Sequence, residues 1–119
     1  FTVNSSEKYK QDIKLFEGSA LQIISRADIY HYRLRDDVLN GIDKIKTGLV
    51  IGEGYNTPEQ LIDGGGISQY EMSSLSFKAI QELDNNQKGH THDIESLKLQ
   101  NQYLIQKLNH LESLIGEQN

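Results

Sequence analysis

The sequence predicts an α+β chain. A small mixed α/β head is followed by a long C-terminal helix that pairs with copies of itself. Three observations point there. The first half holds short segments of strand and helix character, separated by turn residues. The second half carries a heptad repeat of isoleucine and leucine. Only 36% of the 119 residues are apolar, which is low for a self-sufficient globule of this size, so the core is expected to be shared between chains.

Within the head, "FTV" at the start has the character of a strand end. "GSALQIIS" predicts a short helix capped by Ser19, with Ala20, Leu21 and Ile24 on one side. "DIYHYRL" alternates: Tyr30, Tyr32 and Leu34 fall on one face, and Ile29, His31 and Arg33 on the other. That period of two predicts a half-buried strand. "TGLVIG" is a β-branched run and predicts another. "NTPEQLI" predicts a short helix with Thr57 as cap and Pro58 at its first position. "DGGG" at 63–66 predicts a hinge or loop. No lysine follows it where a phosphate-cradling loop would need one.

The second region, about 69–116, predicts helix. With Ile94 at heptad position a, Ile80, Gln87, Asn101, Leu108 and Ile115 also fall at a. Position d then holds Ser76, Leu83, His90, Leu97, Leu104 and Leu111. From Ile94 onward only Asn101 breaks an apolar seam of about three heptads. A lone helix with one apolar stripe needs partner helices. No second stripe of matching length exists in the chain, so the partners are copies of it. Its residues do not separate two strands from three, and Asn101 in the seam would set register at some cost in stability. "DNNQKGHTHD" interrupts the seam without changing its phase. Gly89 and the paired asparagines weaken helix, while Thr91 or Asp93 could cap a new one. The helix either runs through or breaks and restarts in register.

Several function classes are disfavoured. The net charge is −5, and acidic residues outnumber basic ones in both halves, so no nucleic-acid surface is expected. There is no cysteine, hence no disulfide framework or thiolate metal site. No apolar run approaches the ~18 residues of a membrane span. "FTVNSSEKYK" is too polar for a signal peptide. No cofactor is expected. His90 and His92 are the one metal-ligand pattern. In an extended backbone both rings would point the same way, and three chains on an axis would offer six imidazoles to a divalent transition metal, as similar His-x-His segments of phage tail fibres do. A continuous helix would instead turn His90 inward and His92 outward, leaving a polar interruption of the coiled coil. His31 and His110 have the character of ordinary strand and surface histidines.

The remaining chemistry lies in "SSEKYK". A serine hydroxyl and a lysine amine can form a nucleophile and base pair. Lys10 is five residues after Ser5 and four after Ser6. Five residues put side chains on opposite faces of a strand and about 140° apart on a helix. Simple geometry therefore favours Ser6 with Lys10, unless a turn or bulge intervenes. A lysine base also needs its reference pKa of ~10.4 lowered by burial or a nearby cation, and Lys8 and Lys14 are candidates for that cation.

Read in order, the blocks of this chain resemble the C-terminal intramolecular chaperone and auto-processing domain of phage tailspikes, endosialidases and neck appendages. A relative of that domain occurs in myelin regulatory factor. The family's opening pattern is roughly Ser-Asp-x-x-Leu-Lys-x-x-Ile. "SSEKYKQDI" is similar to it, with Ser5 first, Tyr9 in the leucine place, then Lys10 and Ile13. "DIYHYRLRDD" is similar to an aromatic-rich strand ending in polar residues. "TGLVIGE" is similar to a Gly-Leu-Ile-Ala-Gln-Glu segment. "GGISQYEMSSLSFKAIQEL" is similar to a Val-Asp-Tyr-x-x-Leu run leading through Ala-Ile-x-Glu-Leu into a coiled coil. Two positions depart from the pattern: Ser6 stands where the family has aspartate, and "LVIGEGY" lacks the Gln-Glu pair.

The resemblance implies a self-cleaving serine endopeptidase that acts once, on itself. Ser5 would be the nucleophile, Lys10 the general base, and Asn4–Ser5 the scissile bond. Ser5 and Lys10 must then face each other, which calls for a turn or bulge between them. Residues 1–4 would be the end of an upstream fibre, 5–68 the processing head, and 69–119 a homotrimeric coiled coil. The expected partners are two further copies of the chain and the upstream fibre or tailspike domain. The implied setting is a phage structural precursor, made and processed in the host cytoplasm, whose released domain does not stay in the virion. Two alternatives stay open: a trimerisation cap that does not cut, and an unrelated coiled-coil adaptor in which Ser5 and Lys10 are surface residues.

Overall fold

The computed structural model describes residues 2–118; Phe1 and Asn119 lie outside the described residues. The chain is a mixed α/β head on one end of a long helix. The first element is a 3₁₀ turn, Glu7–Tyr9. Then come α1 (Ala20–Ser25), β1 (Tyr30–Tyr32), α2 (Arg35–Leu39) and β2 (Lys46–Gly48). A second 3₁₀ turn, Glu59–Leu61, leads into β3 (Ile62–Asp63), β4 (Gly66–Ile67) and α3 (Gln69–Gln118). Both sheets are antiparallel pairs, β1 with β2 and β3 with β4.

Ser19 caps α1 as its sequence predicts: its hydroxyl accepts from the Gln22 amide at 3.2 Å. β1 pairs with β2 in the register Tyr30–Gly48, His31–Thr47 and Tyr32–Lys46. Tyr30 and Tyr32 are half-buried and His31 is exposed, the alternation expected of the segment. His31 Nδ1 lies 2.9 Å from Thr47 Oγ1 across the ladder. The strand stops at Tyr32, and Leu34 is the N-cap from which α2 starts. The signal for α2 lies in "RDDVLNG": acidic residues in the first turn favour the helix start, and Asn-Gly ends it. Gly41 takes φ 72°, and the amides of Gly41 and Ile42 bond back to the carbonyls of Val38 and Asp37. That is a Schellman closure, which needs a left-handed residue at the glycine.

Four expectations change. Among the described residues, Thr2 and Val3 form no strand; Phe1 of the same block lies outside them. β2 begins at Lys46 and ends at Gly48 rather than running through "LVIG", because β1 offers only three partners. Thr57 does not cap a helix. Its hydroxyl donates to the Val50 carbonyl at 2.6 Å, and Pro58 is extended before a single 3₁₀ turn. "DGGG" is a tight hairpin, not a hinge: Ile62 pairs with Ile67 and Asp63 with Gly66. Gly64 at φ 60° supplies the left-handed corner such a turn requires.

α3 is continuous over 50 residues, a rod of roughly 75 Å. It runs through Gly89, which overturns the extended backbone a His90/His92 cage requires. Two residues along a helix are about 200° apart, so the two rings leave it on different sides. The head docks on one flank of its N-terminal part. Ala79 is buried there together with Ala20 and Leu61, and the carboxylate of Glu82 accepts from the Leu21 amide at 2.9 Å. These docking positions lie off the heptad seam, so Ile80 and Leu83 stay exposed. Among the described residues no large side chain is fully buried, and Ile94, Leu97, Leu104, Leu108, Leu111 and Ile115 are each more than half exposed. The radius of gyration is 26.2 Å, about twice the ~13–14 Å of a compact domain this long.

Candidate functional site

The site is built around Ser5, and local backbone chemistry explains its shape. Ser6 is extended (φ −63°, ψ 145°), and its hydroxyl accepts from the Lys8 amide at 3.3 Å. This is the N-cap arrangement that favours serine before a helical turn. The turn closes through Tyr9 N to Ser6 O and Lys10 N to Glu7 O, both at 3.1 Å. Lys10 then leaves in extended conformation (φ −128°, ψ 149°). A 3₁₀ turn rises only ~2.0 Å per residue, so it shortens and rotates the path between Ser5 and Lys10. As a result the Lys10 Nζ donates to Ser5 Oγ at 2.7 Å. After Lys10 the chain turns sharply at Asp12, which has φ 54°.

Regular strand or helix spacing favoured Ser6 as the partner of Lys10. The structure pairs Ser5 instead, because the intervening turn is the exception that spacing required. Ser6 is occupied as the cap that makes the turn. Asn4, Ser5 and Lys10 are all exposed in the single chain, so the Asn4–Ser5 peptide is open to attack and to water.

A third group completes the cluster. The phenolic oxygen of Tyr70 lies 3.0 Å from Ser5 Oγ, across 65 residues of sequence. Tyr70 sits in the first turn of α3, whose start is held from two sides. The Ser68 amide donates to the Leu61 carbonyl at 2.8 Å, and the Ser68 hydroxyl accepts from the Glu71 amide at 3.3 Å. The β3–β4 hairpin delivers the chain to that point. Spacing around Ser5 gives no hint of Tyr70; its signals are an aromatic residue just after a helix cap and the tyrosine place of the Val-Asp-Tyr-x-x-Leu run, neither of which points to Ser5.

Glu82 is a second polar residue that only the folded chain reveals. Hydrogen bonding to the Leu21 amide, opposed by partial desolvation and aided by Ser19, the Ala20 amide and the Lys78 charge, lowers its pKa below the ordinary 4.5. It caps α1 from α3 and ties head to rod. A cleft of about 560 Å³ is lined by Tyr30, Tyr32, Arg35, Ile51 and Tyr55 among others and contains none of Ser5, Lys10 and Tyr70. Among the described residues, no group of three or more histidine or acidic side chains is arranged to hold a metal ion, and no helix is long and apolar enough to cross a membrane.

The cluster can therefore place a hydroxyl beside an amine and a phenol, next to an exposed peptide bond. No family model, curated protein or solved structure matches this chain.

Proposed function

We propose that this chain is a self-cleaving trimerisation chaperone, which registers an upstream fibre and then releases itself by cutting Asn4–Ser5. The observation that carries the reading is the 2.7 Å approach of Lys10 Nζ to Ser5 Oγ, made by a turn that Ser6 caps. In the proposed reaction, neutral Lys10 takes the Oγ proton as Ser5 attacks the Asn4 carbonyl carbon. Attack on the preceding carbonyl closes a five-membered ring, so little entropy is lost in bringing the reactants together. The C–N bond then breaks, and Lys10 returns its proton to the Ser5 nitrogen. Water hydrolyses the resulting ester, leaving an Asn4 carboxylate and restoring the Ser5 hydroxyl.

The exposed α3 seam supports the chaperone half. Three chains joined along Ile94, Leu97, Leu104, Leu108, Leu111 and Ile115 would bury the stripe that one chain leaves in water. Asn101 would fix their register. Interwoven fibre strands have few local contacts and nucleate slowly. Holding three chain ends together raises their effective concentration. Cutting the chaperone away afterwards makes the finished assembly hard to reverse.

The test is intact mass of a longer chain carrying an upstream stretch, beside its Ser5→Ala and Lys10→Arg variants. Arginine keeps the charge but cannot give up its proton near neutral pH. Wild type should split at Asn4–Ser5 while both variants stay whole. A folded trimer that stays whole in wild type would leave the non-cutting cap as the function, and a chain that forms no trimer would sink the chaperone reading.

A further inference from the structure

We infer that Tyr70 is a catalytic residue of the same site, donating a hydrogen bond to Ser5 Oγ as that oxygen attacks. The inference rests on the self-cleavage reading above and gives a role to a tyrosine that the motif contains but neither motif nor spacing brings to the site.

A serine hydroxyl has one donor and two acceptor positions. In the structure the Lys10 amine donates to Ser5 Oγ at 2.7 Å. The Tyr70 oxygen lies 3.0 Å from the same Oγ, and either oxygen can be the donor in that contact. An ammonium group has no lone pair and cannot act as a base. When Lys10 acts as base its amine offers a lone pair and the roles reverse: Ser5 donates to Nζ, and its oxygen loses the hydrogen bond Lys10 had supplied. Tyr70 is placed to replace that bond by turning its phenolic proton toward Oγ. A phenol can both accept and donate, so it serves both states by rotation about one bond. As the Oγ proton passes to Lys10, negative charge grows on Oγ. A charge-assisted bond from Tyr70 strengthens at that moment and not before, which is the condition for speeding the chemical step. When the new C–O bond has formed, the charge has moved to the former carbonyl oxygen and Tyr70 is again a neutral partner.

The position of Tyr70 adds a consequence. It stands on the first turn of α3, which is held by Ser68 and the Leu61 carbonyl. The third catalytic group thus comes from the rod, whereas Ser5 and Lys10 come from the opening turn. The site is complete only when the rod's first turn is folded against the start of the chain.

The experiment uses the longer chain with its upstream stretch. First-order cleavage is followed by intact mass at pH 7 in wild type, in Tyr70→Phe, and in a chain with 3-fluorotyrosine at position 70. Helicity and oligomeric state are measured on each. Removing one donor to developing charge costs up to about 10²–10³-fold in rate, and a partly exposed phenol should account for about 10–100-fold. Tyr70→Phe is expected to slow by that factor with helicity and assembly unchanged. The fluorinated phenol is a stronger donor, so that chain should cut no more slowly than wild type. A Phe variant within about twofold of wild type would overturn the inference. So would a fluorotyrosine chain slower than wild type, which would mark the phenol as an acceptor in the rate-determining step; being almost isosteric, that chain decides the matter even if Tyr70→Phe fails to fold. An uncut wild type would instead remove the self-cleavage reading and this inference with it.

Discussion

Replacing Ser6 by alanine distinguishes the hydroxyl that shapes the turn from the hydroxyl proposed to attack. Ser6 Oγ accepts from the Lys8 amide at 3.3 Å on the exposed surface. N-cap serines contribute about 0.5–2 kcal/mol, and a bond this long and exposed belongs at the low end, about 0.5–1 kcal/mol. If the whole loss falls on the closed turn, the population with Lys10 beside Ser5 drops by a factor of about 2–5, because 1.4 kcal/mol is tenfold. Cleavage of Ser6→Ala should therefore slow by no more than about fivefold, whereas Ser5→Ala should abolish it. Ser6→Asp, another strong cap, should cut about as fast as wild type. Rates of appearance of the two fragments by intact mass check all three. If Ser6→Ala stays whole while Ser5→Ala is cut, the attacking serine is Ser6 and the role proposed for Ser5 is refuted.

Three further outcomes follow from the same geometry. Gly89→Ala should raise the stability of α3 by about 0.8–1 kcal/mol per chain, because the helix is continuous there and an added Cβ meets nothing within 4 Å; a thermal melt that is unchanged or lower would show that the helix opens at that point in solution. Leu104→Asp alters a side chain that is 56% exposed in the single chain, so it should leave the head folded yet abolish the proposed trimer in sedimentation equilibrium; a trimer that survives would place the interface elsewhere. Glu82 gives a pH dependence: its pKa is lowered in the folded chain, so its stabilising contact with α1 is complete above about pH 4.5 and is lost as pH falls through the folded value. The Leu21 amide shift in an NMR titration should accordingly move with a midpoint below 4.5, and a midpoint at or above 4.5 would contradict the contact.

Much of the chain was legible before folding, for local reasons. Ser19 caps α1 because its side chain reaches an amide three residues away. The alternation of Tyr30, His31 and Tyr32 survives because a strand has a period of two wherever it pairs. The heptad from Ile94 to Ile115 needs nothing beyond its own periodicity to make one helix with one stripe. Less was legible where a local signal met a nonlocal competitor. Thr57 had the character of a helix cap, but the Val50 carbonyl, seven residues away, takes its hydroxyl. "LVIG" had strand propensity without a strand to pair with. The glycines of "DGGG" read as loose chain, yet Ile62 and Ile67 pair on either side of them and make that freedom a tight corner.

The sequence by itself determined the layout: capped short elements first, a long heptad helix after, and a serine–lysine pair near the start. Those features depend on residues within a few positions of one another. The tertiary structure decided which serine faces Lys10, that Tyr70 joins them, and that Glu82 fastens α1 to the rod. Each of these is a contact whose geometry depends on a turn or on backbone traced far from the residue itself. The choice between Ser5 and Ser6 depended on whether three residues made a 3₁₀ turn, and the partner at position 70 on where a hairpin of two-residue strands delivers the start of a helix.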